Sequence, residues 1–307
     1  MDRRRVKRAL SGCDVALPPV TSIASAHGSR ARPAREPRTA FVLSGGASLA
    51  ALQVGMLHAL YEVGIAPDLL VGTSAGALNA AFVASRPQTV ATARALARIW
   101  RDVERDDVFP VQPRLLAGGL LGKSNHLVGA EALRRLARHY LQFDDLADAQ
   151  IPIHAVAFDV DRGIEVLLSE GPALDVLTAT AAIPGVFPPV RVGDRLLIDG
   201  GVVNNAPISH AVELGAERVY LLPTVDRSFA RPMQRRTVLG AALEAVGLMM
   251  RSRVEADIER FSRECELIVL PAPNPREVLP SDFGQADRLI NDALAAARSQ
   301  LAEPLAA

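Results

Sequence analysis

The chain has 307 residues, 49% of them hydrophobic, and its 34 basic and 34 acidic side chains give a formal net charge of zero. That length and apolar content support a sizeable buried core, while the balanced charge argues against a general nucleic-acid binder. Two cysteines, Cys13 and Cys265, exclude a disulfide scaffold and suit a reducing cytoplasm; no run of eighteen apolar residues occurs, so no transmembrane helix is expected, and no His or Cys spacing suggests a metal site.

Residues 1–38 carry nine Lys or Arg against three acidic residues, with Pro18, Pro19, Pro33 and Pro37 and no sustained period. This composition reads as a disordered basic tail ahead of a domain spanning residues 39–307. Asp14 and the paired prolines interrupt the apolar core that a signal peptide needs. On a charged membrane the Arg cluster would contribute about 1 kcal/mol per basic residue.

From Ala40 to Ser85 the pattern reads strand, glycine turn, helix, strand, serine turn, helix. Both turns open a helix at one edge of a sheet, where ligands bind in open α/β folds. The first turn is Ser44-Gly45-Gly46-Ala47. It lacks both Gly-x-Gly-x-x-Gly and a P-loop lysine, so an oxyanion hole fits better than a nucleotide cradle. The second is Gly72-Thr73-Ser74-Ala75-Gly76, a Gly-x-Ser-x-Gly sequence between an apolar strand and an Ala-rich helix. Such a nucleophile elbow holds a serine on a strained turn, with glycines letting neighbouring backbone pass.

Pro87 to Glu104 reads as a helix, with Trp100 most simply in the core, or at an interface with its indole N–H satisfied. Between Asp106 and Val128 the periodicity dissolves into an apolar, glycine-rich stretch containing Leu120 and Leu121. A loop of that length suits a lid or binding loop, here an acyl-chain entrance or membrane-touching flap, with a locally packed short helix as the alternative. Ala130 to Leu141 is an amphipathic helix; Ile151–Val160 and Ile164–Leu168 are strands; Ala173–Ala182 is a helix ending before Pro184. Val190 to Ile198 reads as a hairpin turning at Gly193-Asp194, and its second strand delivers Asp199-Gly200-Gly201. Asp-Gly marks turns generally, but beside a serine elbow this carboxylate becomes a candidate base.

Asn204-Asn205-Ala206-Pro207 resembles a capped helix start. Beyond it come a strand at Glu217–Pro223, a long helix at Thr237–Phe261, a strand at Leu267–Leu270 and a last helix at Asp282–Ala302. No internal repeat or linker divides residues 39–307, so a single three-layer α/β/α domain with a mostly parallel sheet is expected. A serine needs a partner to take its proton. In the order Ser, acid, His, the available histidine is His210, expected on or near the surface of its helix, which leaves a triad open.

Leu43-Ser-Gly-Gly followed by Gln53-Val-Gly55, then Gly72-Thr-Ser-Ala-Gly76, Ala182-Ile-Pro-Gly-Val-Phe-Pro188 and Asp199-Gly-Gly201 together resemble the patatin-like phospholipase family. The resemblance implies a Ser-Asp dyad, with Ser74 as nucleophile and Asp199 as general base. It implies an oxyanion hole from the backbone amides of Gly45, Gly46 and Ala47, with Gly72, Gly76, Gly200 and Gly201 supporting the two loops. A lipid or acyl-ester substrate, peripheral membrane contact and no metal or organic cofactor follow from it. Many relatives carry Arg or Lys where this chain has Leu49, which puts a phospholipid preference in question while leaving ester cleavage in place. Acyl transfer from the same serine, and a catalytically weak lipid-binding or regulatory protein, are the alternatives.

Overall fold

A computed structural model describes residues 37–110, 112, 113, 115, 126–225, 238–273 and 278–302. The basic stretch 1–36 and the loop carrying Leu120 and Leu121 lie outside the described residues.

Eight strands form one mixed sheet. They are β1 (Thr39–Leu43), β2 (Leu69–Thr73), β3 (Ile153–Asp159), β4 (Ile164–Leu168), β5 (Val190–Val192), β6 (Arg195–Asp199), β7 (Arg218–Leu222) and β8 (Glu266–Val269). Their order is β5-β6-β3-β2-β1-β7-β8, with β4 also paired to β3. The run β3-β2-β1-β7-β8 is parallel, and the β5-β6 hairpin and β4 join β3 antiparallel. The fold is therefore α/β with a mostly parallel sheet. From β1 the chain builds outward through β2 and β3, then returns to place β7 on β1's other side. That reversal opens a crevice beyond the ends of β1 and β7, the usual ligand position in such sheets.

Helices α1 (Ala51–Glu62), α2 (Ala75–Ala84), α3 (Val90–Asp102), α4 (Arg105–Val108), α5 (Glu131–Tyr140), α6 (Ala173–Thr180), α7 (Ile208–Glu213), α8 (Val238–Phe261) and α9 (Ala286–Ala302) cover the sheet. Alternate strand residues go to opposite faces. Phe41, Leu43, Leu70, Tyr220 and Leu222 pack with α1, α2, α3 and α9, whereas Ala40, Val42, Val71, Val219 and Leu221 pack with α7 and α8. Both faces are buried, which explains why the central strands read as unbroken apolar runs.

The α1 helix is buried almost all round, and its one buried amide is used. Gln53 Nε2 donates to the carbonyls of Ser44 (2.7 Å) and Leu222 (3.1 Å), tying together the ends of β1 and β7. Asn79 Nδ2 donates to Gln53 Oε1 (2.9 Å), and Trp100 Nε1 donates to Asn79 Oδ1 (2.8 Å). Of the two readings of Trp100 the core one holds, with its indole N–H satisfied there. A buried polar chain of this kind is favourable only when each member is partnered.

Candidate active site

The elbow is strained at one residue. Ser74 takes φ 55 and ψ −129 between β2 and α2, a region that costs a non-glycine residue about 1–3 kcal/mol. Two contacts fix it there. Its N–H donates to Thr180 Oγ1 at 3.0 Å, and Thr180 in turn donates to the Val156 carbonyl. The preceding residue, Thr73, is held from the other side, its hydroxyl donating to the Asn204 carbonyl at 2.8 Å. The flanking glycines serve close approach: a Cβ on Gly76 would lie 2.3 Å from the Leu43 carbonyl oxygen, and one on Gly72 2.6 Å from Ala77 Cα.

The turn after β1 is pressed against this elbow. A Cβ on Gly45 would lie 3.3 Å from Ser74 Cβ, and one on Gly46 would overlap the Thr224 side chain. Ala47 has φ 50, so the non-glycine residues with positive φ among those described are Ala47 and Ser74, one on each turn. The amides divide. Gly45 N–H donates to the Asn205 carbonyl at 3.0 Å. The expectation that Gly45 supplies an oxyanion donor therefore needs correcting, because that N–H is occupied by neighbouring backbone. The N–H groups of Gly46 and Ala47 have no partner among the described residues.

β6 carries Asp199 to the same place. The residue is buried and turns directly into Gly200 and Gly201, where Gly201 N–H donates to Asp199 Oδ1 at 2.7 Å. Gly200 sits against the Val156 carbonyl, with no room for a side chain. Burial pushes the Asp199 carboxyl up to about 6, opposed by hydrogen bonding from the Ser74 hydroxyl and the Gly201 N–H. Desolvation dominates, as expected for a carboxylate without a cation beside it. The structure thus brings Ser74, Asp199, Gly45, Gly46, Ala47, Gly72, Gly76, Gly200 and Gly201 into one cluster.

His210 is elsewhere. The expectation of a surface histidine is overturned: its side chain is only 2% exposed. Its Nε2 lies 2.6 Å from Glu165 Oε1 and its Nδ1 3.2 Å from Glu213 Oε2. Burial alone would lower its pKa, but the two carboxylates outweigh it and the pKa is raised. With both ring nitrogens committed to glutamates, His210 has no nitrogen left to take a proton from Ser74. The asparagines before it do not cap α7 either. Asn204 donates to Glu165 Oε1 (2.8 Å) and Ser209 Oγ (3.1 Å), while Asn205 reaches the Gly45 carbonyl.

An apolar pocket opens from Ser74, with Ala47 and Ala75 beside it and about 900 Å³ of atom-free space including its mouth. Leu78 and Phe82 line it from α2, roughly one and two turns beyond Ser74, so it follows the helix for about 12 Å. Stacked rings close its wall, Phe109 with Phe187 at 5.5 Å and Trp100 with Phe283 at 6.2 Å. Leu49 is buried in the core and brings no charge to the site. No group of three His, Cys, Asp or Glu among the described residues is arranged to hold a metal ion.

The sequence profile described as patatin-like phospholipase matches residues 41–212. An uncharacterized NTE family protein of Mycobacterium tuberculosis is 29% identical over 168 residues, 54% of this chain and 27% of that protein. Patatin-like phospholipase domain-containing protein 7 of Rattus norvegicus is 26% identical over 190 residues, 61% of this chain and 14% of that protein. Patatin-like phospholipase domain-containing protein 6 of Homo sapiens is 27% identical over 182 residues, 59% and 13% respectively. The chain thus matches less than a third of the length of each of these relatives. Among solved structures, VipD from Legionella pneumophila aligns with a TM-score of 0.42 at 15% identity, covering 84% of this chain and 67% of that one. The type III effector ExoU aligns with a TM-score of 0.38 at 16% identity, covering 86% and 53%. With the profile matching more than half of its residues, from the first strand through the elbow to the turn after Asp199, the chain belongs to the patatin-like phospholipase family.

Proposed function

We propose that this chain is a serine acyl hydrolase that cleaves carboxylic esters of lipids. The observation that carries the reading is a strained serine facing a buried, cation-free carboxylate at the head of an apolar pocket. In this reading Ser74 Oγ attacks the ester carbonyl carbon while Asp199 takes the hydroxyl proton. The carbonyl oxygen becomes an oxyanion, held by the N–H groups of Gly46 and Ala47. Collapse breaks the ester bond, and the alcohol leaves with the proton from Asp199. A water then attacks the acyl-enzyme, gives its proton to Asp199, and the fatty acid departs as Ser74 recovers its hydrogen.

The pocket supports an acyl chain as the recognised part of the substrate. Its wall is aliphatic and aromatic, and the buried polar groups nearby, Asn79 and the Trp100 indole, are already paired. Since Leu49 offers no cation to a phosphate, neutral-lipid esters and lysophospholipids fit the site as well as phospholipids do.

The test is covalent labelling with a fluorophosphonate alongside release of free fatty acid from a long-chain ester. Wild-type protein should label and turn over, and Ser74→Ala should do neither. Labelling that persists in Ser74→Ala, or a wild type inert in both assays, would overturn the assignment.

A further inference from the structure

We propose that Thr224 is a positioning residue for the oxyanion turn, locking the Gly45–Gly46 peptide so that the Gly46 N–H is turned toward the reacting carbonyl. The proposal rests on the hydrolase reading above. Thr224 follows β7 at the crevice where the strand order reverses, and its side chain is buried. Its Oγ1 donates to the Gly45 carbonyl at 2.6 Å. Asn205 Nδ2 donates to the same oxygen at 3.3 Å, so both lone pairs of that carbonyl are directed at donors. In a trans peptide the N–H points opposite to the C=O, and the described chain has no cis bond. Holding the Gly45 oxygen from one side therefore aims the Gly46 N–H to the other.

The frame behind Thr224 is rigid. Its N–H donates to Ser44 Oγ at 3.0 Å, Ser44 N–H donates to the Leu222 carbonyl at 3.3 Å, and Gln53 bridges the Ser44 and Leu222 carbonyls. Gly46 lies directly on the threonine: a Cβ there would sit 2.4 Å from Thr224 Oγ1 and 2.7 Å from Cγ2. A Gly-Gly peptide has little steric preference of its own. Without the hydroxyl it is free to rotate, and the rotated form would present a carbonyl oxygen where the reaction needs a donor. Leu49 supplies no charge that could hold the turn instead.

Thr224→Val keeps the shape and removes the hydroxyl; Thr224→Ser keeps the hydroxyl and removes a methyl. On a soluble short-chain ester, Thr224→Val should lower kcat about 10- to 100-fold, short of losing an oxyanion donor outright. KM should stay within about twofold, since only the transition state feels the loss. Affinity for a trifluoromethyl ketone, whose adduct on Ser74 carries the oxyanion, should fall by the same factor as kcat, and Thr224→Ser should restore both. Thr224→Ala carries the same expectation should the valine variant fail to fold. A valine or alanine variant as fast as wild type overturns the lock, and so does an equal loss in the serine variant. If wild-type protein neither labels with fluorophosphonate nor turns over, the hydrolase reading has failed and the lock falls with it. If wild type and Thr224→Val label and turn over alike, the lock alone has failed.

Discussion

Asp199 sets the pH behaviour expected of the site. As the base proposed above it must be ionised, and burial holds this carboxyl up to about 6, so kcat/KM should fall as pH drops through that value and level off above it. The same shift makes the residue a burden on folding. A carboxyl raised above its unfolded pKa, near 3.9, binds its proton more tightly in the native state. Its contribution to stability is therefore present below that pH and lost as pH rises through about 6. At pH 8 the buried charge costs about 3 kcal/mol by this reckoning, and Asp199→Asn should be inactive yet melt at a higher temperature than wild type. Thermal unfolding at pH 8 and pH 4.5 checks it: the gain should be large at the first and small at the second. The turns that hold Ser74 and Asp199 were legible in the sequence because each lies inside a short motif rich in glycine. Thr224 and Asn205 were not. A threonine after a strand carries no pattern, and its role exists only because β1 and β7, far apart in sequence, are neighbours in the sheet. His210 was misread for the same reason, since Glu165, its main partner, arrives on a strand 45 residues upstream.

At the level of elements, the helices and strands followed from period and punctuation, but the reasons for some glycines did not. Gly55 belongs to the resemblance without any local turn to explain it. In the structure it lies mid-helix on α1, where a Cβ would sit 2.2 Å from the Ile290 carbonyl oxygen and 2.6 Å from the Leu294 nitrogen of α9. The glycine lets two backbones meet, trading helix propensity of about 1 kcal/mol for close packing. Gly55→Ala should therefore destabilise the fold by about 1–2 kcal/mol, an overpacking cost of about 2–3 kcal/mol because the clash is with backbone, less the propensity of about 1 kcal/mol gained. Denaturant unfolding measures the loss, and the rate of fluorophosphonate labelling under folding conditions should be unchanged. A neutral or stabilising result would mean that α1 and α9 separate freely, and that the glycine has no packing role. The sheet reversal between β1 and β7 likewise escaped the sequence, because strand order is set by which edges remain open after β2 and β3 have paired. It is nevertheless what brings the glycine turn, the elbow and Thr224 to one crevice.

For the molecule as a whole, the hydrolase proposed above would have to bring a buried serine to a lipid held in an aggregate. No helix among the described residues is long and apolar enough to cross a membrane. Five of the seven large apolar side chains exposed among the described residues, Val202, Val225, Leu248, Met249 and Leu279, sit on the segments that carry the site. Val202 follows Asp199 in the base turn and Val225 follows Thr224. Leu248 and Met249 precede Met250, whose Cε lies against Gly201, and the Leu279 carbonyl accepts from Ser48 Oγ. Met249, 73% exposed, is the most exposed of them. Burying one such side chain contributes about 1.5–3 kcal/mol, and each 1.4 kcal/mol is about tenfold in binding. If the rim rests on the lipid surface during turnover, Met249→Glu should lower hydrolysis of a long-chain ester in vesicles by about tenfold or more. Hydrolysis of a water-soluble short-chain ester should be untouched, because Met249 does not line the pocket that opens from Ser74. Vesicle flotation gives the binding term directly. Equal losses on both substrates would place the effect inside the site, and no loss on vesicles would mean that the substrate reaches Ser74 without the rim.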